Sequence, residues 1–143
     1  MSATAEQGIV AKLLATDAVT ALVAARIQPP PLEDDATLPI ITWQVISATR
    51  PPALDGPIGL ASKRIQLTCW AATTAGASAL AEAVRLAVNG ASGSVAVGDD
   101  TVYFHALFLE DEGDVLEPAA GLEKQRRVGK RLDVMAHTRE ATS

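Results

Sequence analysis

Aromatic side chains are scarce in this chain. Of 143 residues two are Trp, one is Tyr and two are Phe, so aromatics make up 3%. A core must therefore come from Ile, Leu and Val on a few periodic segments. The hydrophobic share of 48% is raised by alanine, whose single methyl buries little surface. A core this lean leaves room for stabilisation by contacts between subunits. Cys69 is the single cysteine, so no intramolecular disulfide can form and nothing points to an oxidising compartment. No run of about 18 uncharged apolar residues exists, which excludes a transmembrane helix. Residues 1–10 carry Glu6 and no basic segment ahead of an apolar run, so they do not read as a signal peptide. An excess of positive charge is missing as well. Twelve Lys and Arg against 17 Asp and Glu give a net charge of −5. That argues against non-specific or sequence-specific nucleic-acid binding, which needs a cationic face to displace counterions. It also argues against docking on anionic membranes. The chain reads as a soluble protein with one domain over residues 1–137 and a polar tail over 138–143.

What is present is a set of clear periodic segments. Ile9, Val10, Leu13 and Leu14 recur at helical spacing and predict a helix from Thr4 to Ala15. Asp17 is placed to cap a second short helix, Ala18 to Ala25. Ile27 starts an extended stretch that runs into Pro29, Pro30 and Pro31, which forbid helix. Pro39 opens a strand over Ile40 to Ala48, rich in β-branched and aromatic residues. Arg50 to Gly59 is rich in proline and glycine and reads as a loop. Ser62 to Ala71 alternates, with Ile65, Leu67 and Cys69 on one face and Arg64, Gln66, Thr68 and Trp70 on the other. Thr73 or Thr74 caps a helix to about Asn89, with Leu80, Val84 and Val88 in a stripe widened by alanines. Ser92 to Gly98 reads as a link or short strand. Thr101 to Leu109 is a strand with Val102, Phe104, Ala106 and Phe108 on one face. Glu110 to Glu117 reads as an acidic, solvated loop ending at Pro118. Glu123 to His137 forms the last strand, where Gly129 weakens the strand or marks a bulge. The pattern predicts an α+β fold: an antiparallel or mixed four- to five-stranded sheet with helices packed on one face.

No constellation for catalysis emerges. A nucleophile needs a base within reach and a group to orient that base. Cys69 falls on an apolar strand face and reads as a small buried hydrophobe. His105 and His137 read as partly exposed strand residues. Glu110, Asp111, Glu112 and Asp114 do not match a calcium loop, because the acids are contiguous and no bidentate glutamate stands at the required distance. The glycines fit no phosphate-cradling spacing. No catalytic, metal or cofactor residue is assigned.

Charge is distributed in blocks. Acids crowd residues 110–117, and Lys124, Arg126, Arg127, Lys130 and Arg131 follow. One reading is a charged, solvent-facing strand. The other is complementarity between copies, because head-to-tail association needs two different matching patches and closes into a ring when the rotation fits. The candidate contact residues are Asp55, Glu110, Asp111, Glu112, Asp114, Glu117, Lys124, Arg126 and Arg127. They lie in the 50–60 loop, the acidic stretch and the basic run. An exposed sheet edge is a further candidate for pairing across subunits.

In order along the chain, Leu38-Pro39-Ile40-Ile41-Thr42-Trp43-Gln44, Leu54-Asp55-Gly56-Pro57 and Ile65-Gln66-Leu67-Thr68-Cys69-Trp70-Ala71 are followed by the alanine-rich helix around Leu80-Ala81-Glu82-Ala83-Val84-Arg85. Phe108-Leu109-Glu110-Asp111-Glu112, Glu117-Pro118 and a strand through Leu132-Asp133-Val134 to His137 complete the set. This succession resembles the tail-completion, or tail-terminator, proteins of long-tailed phages and gene transfer agents, over nearly the whole chain. The last strand departs from the family in having few aromatics around Val128-Gly129-Lys130. The resemblance implies a structural virion protein, not an enzyme, without cofactor. It implies a ring, a hexamer, that caps the head-proximal end of the tail tube, ends its polymerisation and joins tail to head. The implied partners are other copies of the chain, the tail tube protein and the head–tail connector, in a particle assembled in the bacterial cytoplasm. A head–tail connector or neck stopper is the alternative within virion assembly. A small ligand-binding domain or enzyme is the alternative outside it.

Overall fold

Thr4 opens the first helix by a reciprocal exchange. Its hydroxyl accepts from the Gln7 N–H at 3.3 Å, and the Gln7 side-chain oxygen accepts from the Thr4 N–H at 2.8 Å, which satisfies two otherwise unpaired donors. The computed structural model describes residues 4–33, 36–49, 60–116 and 127–139. Helix α1 spans Ala5–Leu14 and buries Ile9 and Leu13 completely. Helix α2 spans Asp17–Val23 and buries Val19 and Val23, spaced by one turn. Its cap position is Thr16, not the expected Asp17, and the Thr16 hydroxyl donates back to the Lys12 carbonyl at 2.8 Å. Helix α3 spans Thr74–Val88, and the Thr73 hydroxyl accepts from the Gly76 N–H at 3.0 Å. Leu80, Val84 and Val88 are fully buried, with Ala77 and Ala81 beside them.

The strands are β1 (Ile27–Gln28), β2 (Ile40–Thr49), β3 (Leu60–Ala71), β4 (Gly93–Val97), β5 (Asp100–Leu116) and β6 (Val128–Arg139). They form one sheet in the order β1-β2-β3-β6-β5-β4. Every neighbouring pair is antiparallel except β1 with β2. The class is α+β with a mixed sheet, as the pattern implied, but with six strands rather than four or five. The additions are short. β1 stops after two residues because Pro29 has no N–H to continue a ladder, and β4 occupies the stretch that read equally as a link. Core residues of all three helices join one face of the sheet in a single apolar cluster. β3 alternates as read, with Ile65, Leu67 and Cys69 in that cluster. Across this core, the Lys63 ammonium holds the Glu6 carboxylate of α1 at 3.1 and 3.4 Å.

β5 departs from its sequence reading twice. Its register against β6 shifts between Phe104 and Ala106, and again between Leu109 and Asp111. Each shift inserts one residue and exchanges the faces of everything beyond it. Val102 and Phe104 point into the core as expected. Leu107 and Leu109 then take the places expected of Ala106 and Phe108, and Phe108 is left 49% exposed. Past the second shift the acidic stretch is strand rather than loop, with Asp111 opposite Asp133 and Asp114 opposite Lys130. β6 runs to Arg139 with Thr138 buried, two residues into the stretch that reads as tail. Gly129 marks no bulge: the pairing of β6 with β3 is unbroken there. Instead the Trp70 ring lies on it, and a Cβ at Gly129 would approach that ring to 2.9 Å. The expected strand start at Glu123 lies outside the described residues.

Candidate functional site

The helices cover one face of the sheet and leave the other to mainly polar side chains, with Trp70, Phe108 and Val115 among them. At its β2 end this open face is organised by Trp70. The indole N–H donates to the Thr42 hydroxyl at 3.1 Å, and the Arg127 guanidinium sits 5.6 Å from the ring centroid. Arg127 also donates to the Glu33 carbonyl at 2.6 Å and the Leu32 carbonyl at 3.3 Å. It thereby clamps the segment after β1 onto the sheet, with its own side chain buried among these partners. Beside the clamp lies a groove of about 260 Å³ whose lining includes Leu32, Gln44, Gln66, Thr68 and Val115, all uncharged.

The middle of the open face carries a chain of charges. Asp133 is 5% exposed. Its Oδ2 accepts from Arg64 at 2.7 Å and from Arg131 at 2.6 Å, and Arg131 reaches on to Asp111 at 3.3 Å. Hydrogen bonding to Asp133, and then its charge, raises both guanidinium pKa values above the ordinary one. Gly113 makes room for Arg131: a Cβ there would lie 2.8 Å from its terminal nitrogen. Asp133 Oδ1 is buried with no hydrogen-bond partner among the described residues. Nearby, the Ser62 hydroxyl and His137 Nδ1 are 2.8 Å apart, and the His137 ring meets the edge of Phe108 at 5.9 Å. Ser62 and His137 are 75 positions apart in sequence, which is why no motif announces them. Among the described residues no carboxylate orients His137 as the third group of a nucleophilic triad would.

Alternation along β5 divides the acids. Asp111 belongs to the open face with Arg131. Glu112 and Asp114 border a groove of about 400 Å³ on the helix side, together with Ser78, Glu82, Arg85 and Lys130. There Lys130 pairs with Asp114 at 3.0 Å and Arg85 pairs with Glu82. Its hydrogen bond from Arg85 is the main cause of a lowered Glu82 pKa. A cation site needs carboxylates that converge. An extended strand aims successive ones apart, and among the described residues no cluster of three or more His, Cys, Asp or Glu could hold a metal. Burial pushes the Cys69 thiol up to about 12, which leaves it without the thiolate that reactivity needs.

The sequence-derived contact residues therefore separate into groups. Asp55, Glu117, Lys124 and Arg126 lie outside the described residues. Asp111 and Asp114 pair with cations of their own chain. Arg127 serves as the internal clamp. Glu110 and Glu112 are exposed acids with no ion pair among the described residues.

Comparison with known proteins agrees with the architecture. No curated protein matches the chain. Among solved structures it is similar in fold to a chain of the virion of a native gene transfer agent (GTA) particle, at 20% identity and a TM-score of 0.66, over 93% of each chain. The family model described as tail completion protein gp17 matches residues 7–130. The chain belongs to that family, whose members are structural proteins of phage tails rather than enzymes.

Proposed function

We propose that this tail completion protein forms a ring, a hexamer by the family resemblance, that caps the head-proximal end of a tail tube. The ring ends tube polymerisation and joins tail to head. The observation that carries this reading is the family match over residues 7–130. The shared fold with a chain of a gene transfer agent virion supports it. Its partners are other copies of itself, the tail tube protein and the head–tail connector protein. Its place is the tail of a virion or gene transfer agent particle, assembled in the bacterial cytoplasm. A terminator must bind the last tube ring while offering no surface on which another can add. That task needs interfaces on the order of 1,200–2,000 Å² and no chemistry. The helix-free face and the exposed acids Glu110 and Glu112 are suited to it. Asp55, Asp111, Asp114, Glu117, Lys124 and Arg126 complete the proposed contact set.

The test is particle production with this protein deleted, followed by electron microscopy. Tails of uncontrolled length, separate from filled heads, are expected. A gold label on the protein should sit where tube meets head. Tails of normal length joined to heads in its absence would end the proposal. A label on the portal face, apart from the tube, would make the chain a connector instead.

A further inference from the structure

Apart from the outer side of the two-residue β1, which runs into Pro29, Pro30 and Pro31, the sheet has three stretches of open edge among the described residues. β1 covers β2 only at Ile41 and Thr42, so from Trp43 to Thr49 no strand lies beside β2 on the side away from β3. β4 is the last strand at the other end, so the outer side of Gly93–Val97 is open. β5 extends past β4, and beyond Leu109 its outer side is open too. Such rows of N–H and C=O groups invite another strand, and natural proteins discourage this with charge, proline or a bulge.

The three edges are written differently. β5 carries Glu110, Asp111, Glu112 and Asp114 along its open part. β2 lies in a run with no charged residue from Ala36 to Thr49, and β4 in another from Leu86 to Gly98. In a chain that is 20% charged, these two of the three stretches are left without charged protection. β2 has one bulge, and it presents Ile46 at 47% exposure. The two uncharged edges also stand at opposite ends of one sheet. Four antiparallel steps separate them, so β4 and β2 point the same way. A second copy, rotated about an axis along the strands, brings its β2 beside the first copy's β4 in parallel. That is the orientation β1 already has against β2.

We propose that β4 of one copy pairs in parallel with the open edge of β2 in the next, so that the sheet runs on from subunit to subunit. The occupant is a second copy because each chain carries both halves of the contact. A contact between two different patches is the head-to-tail kind that closes into a ring. Backbone hydrogen bonds supply its affinity, as in strand addition generally. The inference rests on the ring reading above and assigns its subunit contact.

Ile46→Lys and Ala96→Lys each place a charge on one of the two edges at an exposed position, and Ala21→Lys places one on the exposed side of α2. Circular dichroism and thermal unfolding confirm that each variant folds. Light scattering, with the chain alone and on purified tail tubes, then reads assembly mass. The wild type and Ala21→Lys are expected at the same multiple of the 14.8 kDa chain, and the two edge variants at the single-chain mass. Ser47→Cys combined with Ala96→Cys should crosslink between chains with a short bismaleimide into a ladder, since Cys69 is buried. Edge variants that keep the wild-type mass, with no ladder, overturn the strand pairing and leave the ring reading standing. A wild-type chain that stays single both alone and on tail tubes overturns the ring reading and the pairing with it.

Discussion

Along the outer part of β5, four acids occupy five consecutive positions, and two of them find cations one strand inward, Asp111 with Arg131 and Asp114 with Lys130. Along β2, at the opposite end of the same sheet, there is no charge at all. There the face is held by an indole on a glycine, a hydroxyl under the indole and a buried guanidinium on two carbonyls. The two regions teach the difference between a strand built to stay in water and a sheet face built from desolvated contacts. Solvated ion pairs add little stability, because Coulomb energy in water is small and holding long side chains costs entropy. Desolvated packing adds more, because it removes apolar surface from water and leaves no room for rearrangement.

The sharpest way to break the comparison is at Trp70. Trp70→Ala should cost about 3 kcal/mol, the low end for tryptophan truncation because the ring is only half-buried. Urea denaturation reads the loss. A cost below that of the acidic-edge variants would mean the β2 end is not the packed one. Between the two ends, Lys63→Met should remove about 1.5–3 kcal/mol by taking the charged donor from Glu6. Burial alone would raise the Glu6 pKa. Its backbone hydrogen bond, then Lys63 and Thr4, outweigh burial and hold it below the ordinary value of 4.5. A depressed carboxylate contributes stability above its unfolded pKa and loses it as pH falls through the folded one. Lys63→Met should therefore flatten the decline in stability below about pH 4.5. An acid limb parallel to that of the wild type would refute this role.

Gly129→Val should cost about 1–3 kcal/mol, because a side chain there meets the Trp70 ring. In the Trp70→Ala background most of that cost should vanish. Equal costs in the two backgrounds would show that strand geometry, not the indole, demands the glycine. The smallest effects belong to β5. Asp111→Asn and Asp114→Asn should each change stability by about 0–1 kcal/mol, less at high salt. A loss above about 2 kcal/mol from either would erase the contrast between the ends.

Much of the fold was legible in advance because local rules carried it. The stripe Leu80, Val84, Val88 and the alternation Ile65, Leu67, Cys69 need only a helix period and a strand period. Thr73 caps as its chemistry suggests. The site was far less legible. Phe108 was placed on the wrong face because a bulge is an agreement between two strands and leaves no mark in the period of one. The acids after Leu109 read as a loop because their strand is licensed by Lys130 and Arg131 across the ladder. Arg127 read as one cation in a basic run, and its burial depends on Trp70 and on carbonyls of residues 32 and 33, which lie far off in sequence.

By itself, the sequence determined the helices, the strand cores, the absence of a disulfide and the family, because each rests on neighbours along the chain or on composition. Only the tertiary structure decided which edges of the sheet are covered, which charges are already paired and which face stays free of helix. Those outcomes depend on strand order and register, and strand order brings together residues that the sequence keeps tens of positions apart.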